Sequence, residues 1–184
     1  AFKEFVNVKY SSRKALVSEY ADSKNSGVTV GGKYTGVKPV LIPQLDYCTN
    51  DIWELAAGYG TDNNFPIVLR CKYGEGSISV VTIPDNMGDL YNYPAEVLNV
   101  IRGLFSKEMP VAIQGPAQVQ LFVYDNDKVI VRSDLPYAER VTLKVVDGAK
   151  AVRDMVKGIE FPVVEGKVTL EMMPGYNYVF ELGA

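Results

Sequence analysis

YGEGSISVVTIPDNMGDLYNYPAEVLNVIRGLF, residues 73–105, holds a glycine turn, an apolar strand, a long acidic and aromatic loop, and an amphipathic helix. In that order they read as the closing unit of an α/β layer, with the strand buried. Gly74 and Gly76 supply the positive φ that a tight turn between two strands requires. Pro94 suits the first helical position, where its missing N–H is not needed, and Glu96 complements the helix dipole. Val97, Leu98, Ile101, Leu104 and Phe105 form a stripe at helical spacing, which predicts a core-facing helix that stops near Ser106, before Pro110.

Upstream of this stretch the chain is rich in strand signals. FVNVKY alternates with period two, and GVTVGGKYTG predicts a hairpin around Gly31 and Gly32. VKPVLIPQL is too apolar for a half-exposed strand and predicts burial on both faces. TNDIWELAAGYG fits a single helical turn or an irregular excursion. Downstream of the helix the pattern changes to short strands. VQLFVYDNDKVIVRSD predicts a hairpin about Asp125-Asn126-Asp127, ERVTLKVVDG a further strand, and KVTLEMMPGYNYVFEL two more around Pro174-Gly175, while AVRDMVKG is ambiguous. Such strands at such spacing indicate a small antiparallel sandwich. The expected fold class is therefore α+β. A mixed β-sheet layer with one clear helix occupies 1–109, and an antiparallel β-sandwich occupies 110–184, with the break within 107–113.

The chain has 184 residues, enough for one ample core or two small ones. A net charge of −3 with mixed signs lacks the basic stripe of a nucleic-acid binder, so no nucleic-acid partner is expected. No apolar run approaches the roughly 18–20 residues of a membrane span. The opening AFKEFVNVKY alternates instead of forming a basic then apolar leader, and starting at Ala1 is consistent with processing or excision from a longer chain. Cys48 and Cys71 are too few for a disulfide framework and read as two buried thiols, with a single disulfide between them as the alternative.

The chain contains no histidine. Ser-His-Asp and Cys-His nucleophilic arrangements both need an imidazole, and so do histidine-ligated zinc sites. Carboxylate chemistry survives, because glycoside hydrolysis uses two acids. Asp85 and Asp89 lie in IPDNMGDLYNYP with Tyr91 and Tyr93, a mixture suited to a sugar. The plainer role of such residues is structural, since Asp and Asn bond to nearby backbone in loops. Tyr47, Trp53 and Tyr59, with Asn50 and Asp51 between them, form a second aromatic group, equally suited to a sugar platform or to packing. Gly74-Glu75-Gly76 opens a strand and not a helix, so it is no phosphate loop. The acidic turn at Asp125 lacks the glycine and distant glutamate of a calcium loop. No metal or cofactor is expected.

PVLIPQLDYCTNDIWELAAGYGTDNNFPIVLRCKYGEGSISVVTIPDN resembles the end of the glutamine-amidotransferase-like domain behind the catalytic barrel of some glycoside hydrolases, including the family 42 β-galactosidase type. In such domains the last strand follows a turn like Tyr73-Gly74-Glu75-Gly76, and a closing helix precedes a small C-terminal sandwich. MMPGYNYVFEL resembles the last strand of that sandwich. The resemblance covers residues 40–184 loosely and leaves 1–39 unmatched. It implies a non-catalytic accessory region of a larger carbohydrate-active protein, extracellular or periplasmic, with other domains of the parent as partners. Catalysis in that family lies on the barrel, so no catalytic residue carries over. The alternative from a different class is an independent carbohydrate-binding module. It would use Trp53, Asp85, Asp89, Tyr91 and Tyr93 in the aromatic and acidic loops around Tyr47–Tyr59 and Asp85–Tyr93.

Overall fold

A computed structural model describes residues 3–14, 40–43, 52–59, 64–145 and 148–183. The chain divides into two units, Ala1–Ile101 and Arg102–Ala184. This division falls inside the helix, whereas the sequence places its boundary at 109/110.

In the first unit the strands are β1 (Lys3–Lys14), β2 (Val40–Pro43), β3 (Ile52–Tyr59), β4 (Asn64–Tyr73) and β5 (Gly76–Val81), ordered β2-β1-β3-β4-β5. Every pairing among them is antiparallel, so the sheet expected to be mixed is antiparallel across its described strands. In β4 the consecutive side chains of Ile67, Val68 and Leu69 are all buried, so both faces are covered there. β3 occupies the stretch expected to be a single helical turn or an irregular excursion. Its Ala-Ala-Gly run lacks a strand pattern of its own, and pairing with β1 and β4 on either side imposes one, with register shifts between Glu54 and Ala57.

Two burial expectations fail for a common reason. Among the described strands β2 and β5 are the edges, each with one neighbour. β2 buries Val40 and Ile42 while Leu41 and Pro43 remain partly open, and β5 exposes nearly its whole length, including Ile78 and Val80. Both strands lie at the border of the described sheet, where neighbouring strands flank them on one side only. The turn between β4 and β5 forms where expected, but only Gly74 takes the positive φ, at 56, whereas Gly76 does not and opens the strand instead.

The predicted helix is present as α1 (Ala95–Phe105), ending one residue before Ser106. Within its apolar stripe Val97 is fully buried, Leu98, Ile101 and Leu104 are half-buried, and Phe105 is exposed. Arg102 anchors the last turn instead. Its guanidinium donates to the carbonyls of Gly115, Pro116 (2.9 Å) and Val119 (3.2 Å). Burial lowers its pKa from the ordinary arginine value, and it stays cationic at neutral pH.

The second unit contains β6 (Val111–Gln114), β7 (Val119–Val123), β8 (Lys128–Ser133), β9 (Glu139–Val145), β10 (Ala151–Asp154), β11 (Glu160–Pro162), β12 (Lys167–Met172) and β13 (Asn177–Leu182). They form a five-stranded sheet, β11-β10-β13-β8-β7, and a three-stranded sheet, β12-β9-β6, both antiparallel. Alternate residues of both sheets enter one hydrophobic cluster, with Val129, Val131, Leu143, Leu170, Met172 and Phe180 at its heart. Phe161 meets Tyr178 and Phe180 edge-on at 5.8 and 5.7 Å.

The β7–β8 hairpin is as predicted, with Asp127 at φ 59 in its turn. β12 and β13 are also where expected but do not pair with each other. The Pro174-Gly175 turn carries the chain from one sheet to the other. AVRDMVKG resolves into β10 and a turn closed by Asp154. The Asp154 side chain is buried; Oδ1 accepts from the Val156 and Lys157 backbone N–H groups, while Oδ2 has no partner among the described residues. The whole is a β-rich α+β protein with one α-helix and one 3-10 helix among its described residues.

Two glycines should respond oppositely to alanine. A Cβ at Gly115 would lie 2.8 Å from Val141 Cγ1 and 3.3 Å from its Cβ. Val141 is buried and stiff at χ1, so Gly115→Ala should cost about 1–3 kcal/mol. Gly103, inside α1, has nothing within 4 Å of such a Cβ, and Gly103→Ala should stabilise by about 0.5–1 kcal/mol. Urea unfolding of the two variants, followed by circular dichroism, checks both signs.

Candidate functional site

Residues 84–93 connect β5 to α1, and their polar groups are largely engaged. The Asp85 backbone N–H donates to the Leu41 carbonyl at 2.9 Å, and its carboxylate pairs with Lys3 of β1. Asn86, extended at φ −99 and ψ 112, accepts from the Gly88 N–H at 3.1 Å. That bond caps a 3-10 helix, Met87–Asn92, in whose first turn Asp89 accepts from the Asn92 amide at 3.2 Å. The loop therefore gives each of its two acids a separate partner.

The two tyrosines part company. Tyr93 is 3% exposed, and its hydroxyl donates to the Thr82 carbonyl at 3.3 Å. Thr82 is itself buried, with its hydroxyl donating to the Pro66 carbonyl at 3.0 Å. Burial, reinforced by the Asp89 charge, raises the Tyr93 pKa well above that of an ordinary tyrosine. Tyr91, by contrast, is 65% exposed.

Trp53 lies in β3 opposite Arg70 on one side and Lys14 on the other, with its side chain outside the described residues. Tyr47, Cys48, Asn50 and Asp51 lie outside the described residues altogether, as does the Tyr59 side chain. Cys71 is half-buried and forms no disulfide among the described residues. No group of three or more His, Cys, Asp or Glu residues able to hold a metal occurs among them. None of their helices is long and apolar enough to cross a membrane.

Two concavities lie elsewhere. One of about 370 Å³ in the first unit is lined by Leu55, Cys71, Lys72, Gly76 and the Arg70–Ser77 pair, whose Nε–Oγ distance is 3.3 Å. The other, of about 530 Å³, opens in the second unit between the β7–β8 turn and the ends of β10, β11 and β13. Its floor includes part of a charged row running across four strands in register: Glu160 of β11, Arg153 of β10, Glu181 of β13 and Lys128 of β8. Lys128 is hydrogen-bonded to Glu181 and, with Arg153 adding to it, holds that carboxyl below its ordinary value. Sequence reasoning missed this row. Its members are scattered along the chain, and only the strand register brings them together.

Residues 110–173 match a family described as "Probable glycosyl hydrolase, C-terminal domain". No curated protein and no solved structure matches the chain. The matched segment covers well under half of the sequence and falls within the second unit.

Removing the Tyr93 ring should cost about 3 kcal/mol in Tyr93→Ala, the scale for a buried aromatic. Tyr91→Ala should change stability by no more than about 0.5 kcal/mol. Tyr93→Phe, which deletes one neutral hydrogen bond, should cost about 0.5–1.5 kcal/mol at neutral pH. Because folding raises the Tyr93 pKa, the parent gains stability that is complete below the unfolded tyrosine value, about 10, and is lost as pH rises beyond it. The gap between parent and Tyr93→Phe should accordingly narrow above about pH 10. Denaturant melts of both proteins across the alkaline range measure it.

Proposed function

We propose that the chain is a non-catalytic accessory region of a larger glycoside-hydrolase-like protein, contributing interdomain packing or assembly. The observation that carries this is the match of residues 110–173 to a C-terminal domain of a probable glycosyl hydrolase. Those residues supply most of the two-sheet core of the second unit, which we read as a small β-sandwich. The absence of histidine supports the non-catalytic part, as does the engagement of Asp85 by Lys3 and of Asp89 by Asn92. On the same reading its partners are other domains of the parent protein. Assignment of the parent to the family 42 type rests on the sequence resemblance. The antiparallel order of β1–β5 is not that of a parallel α/β layer, so the second unit carries the assignment.

A carbohydrate-binding role for the aromatic loops is the second reading, and the exposure of the Tyr91 ring favours it. Tyr93 is unavailable for stacking, since its ring is buried and its hydroxyl bonded within the fold.

The isolated chain should turn over no chromogenic glycoside. Hydrolysis that disappears in Asp85→Asn or Asp89→Asn would overturn the accessory reading in favour of an acid-pair enzyme. Loss of oligosaccharide affinity in Tyr91→Ala, with unchanged stability, would instead favour the loop as a binding surface.

A further inference from the structure

We propose that the 530 Å³ cleft of the second unit is a binding site for a neutral, hydroxyl-rich ligand, an oligosaccharide segment. Its size falls in the range of small-molecule sites, about 300–1,000 Å³. The groups that matter are Asn126, Asp127, Lys150, Arg153, Glu160 and Glu181. Glu181 is engaged by Lys128, but the side chains of Lys150, Arg153 and Glu160 make no direct hydrogen bond or ion pair among the described residues. A guanidinium, an ammonium and a carboxylate thus face one cleft with their hydrogen-bonding capacity uncommitted.

The charge balance narrows the ligand. Asp127, Glu160 and Glu181 are offset by Lys150, Arg153 and Lys128, so the cleft presents no net charge to attract an ion. A phosphate would meet three carboxylates, and a metal would meet two uncommitted cations. An apolar ligand would strand the charged lining without partners. A hydroxyl group both donates and accepts, so a run of hydroxyls can satisfy Arg153 and Lys150 on one side and Glu160 and Asp127 on the other. The lining is also rigidly placed. Arg153, Glu160 and Glu181 lie side by side on adjacent strands, and the Leu182 N–H holds the Asp127 carbonyl at 2.9 Å. Choosing a saccharide over another polyol rests on the accessory reading given above.

The test uses the full chain, labelled with ¹⁵N, and two-dimensional amide spectra. Maltotetraose, cellotetraose, xylotetraose and β-1,4-galactotetraose are titrated to about 20 mM, enough to register millimolar binding. Glycerol and sodium phosphate form separate arms. At least one tetrasaccharide should move amides of residues 126–127, 150–153 and 181–183 saturably, and phosphate should not. Arg153→Gln and Glu160→Gln should each weaken that binding about tenfold or more while melting like the parent. If neither variant changes the affinity, the cleft is not the site. Saturable shifts with phosphate alone would refute the neutral-ligand class, and equal response to glycerol would refute the saccharide. If no tetrasaccharide moves these amides, the proposal is overturned, and shifts confined to residues 87–93 would transfer binding to the other loop. Failure of the accessory reading appears separately, as turnover of glycosides by the isolated chain.

Discussion

β10 and β8 do not pair with each other; β13 lies between them, the last strand among the described residues. Without it the five-stranded sheet would fall into two two-stranded ribbons, β11–β10 and β8–β7, each marginal alone in water. β13 also carries Phe180, which has no solvent exposure, and Tyr178, stacked on it at 5.1 Å. Closing the second core therefore waits for contacts of long sequence separation, such as Tyr178 with Val131, at a loop-closure cost that local hairpins do not carry. The segment similar to a glycosyl-hydrolase C-terminal domain stops at residue 173, before this strand begins. Similarity and structural completeness thus have different limits here.

The other limit is set by a polar group. Arg102 precedes the matched segment, yet its guanidinium satisfies three carbonyls in the 115–119 bend, where Gln118 holds φ 64. Charge-assisted bonds of this kind are stronger than neutral ones, and removing the donor would leave partly buried carbonyls short of a partner. Gly115 completes the bend from the other side, since a side chain there would meet Val141. Arg102 is also the residue at which the second unit begins. Asp154 is a contrasting case. One of its oxygens closes a turn and the other is buried with no partner among the described residues, so its local gain is offset by a desolvation cost.

Local chemistry made much of the fold legible. The hairpins β4–β5 and β7–β8, the helix α1 and the strands β9, β12 and β13 all follow from turn residues and periodicity close in sequence. What depended on distant partners was not legible. The Ala56-Ala57-Gly58 run becomes a strand because β1 and β4 flank it, and SISVV lies exposed at the border of the described sheet, a position set by strand order and not by its own residues. The loop shows the same limit at smaller scale. Tyr91 and Tyr93 are two residues apart, and in an extended chain they would share a face. The Asn86 cap instead winds Met87–Asn92 into a 3-10 helix of about three residues per turn, which sends the two rings apart.

Clusters that stand out in a sequence are groups of neighbours, and neighbours in a loop tend to bond to one another. Asn86, Asp89 and Asn92 illustrate this by bonding within the loop, while Asp85 ties it to Lys3 of β1, so their concentration reports how the loop is held. The Glu160–Arg153–Glu181–Lys128 row has the opposite character. Its members come from four strands, meet only through register, and include a guanidinium and a carboxylate with no direct hydrogen bond or ion pair among the described residues. A sheet whose other face already supplies the core does not need charged groups in register for stability, since exposed pairs contribute little. Arg153 and Glu160 stand uncommitted beside a cleft of ligand size, and recognition gives them a role that stability does not.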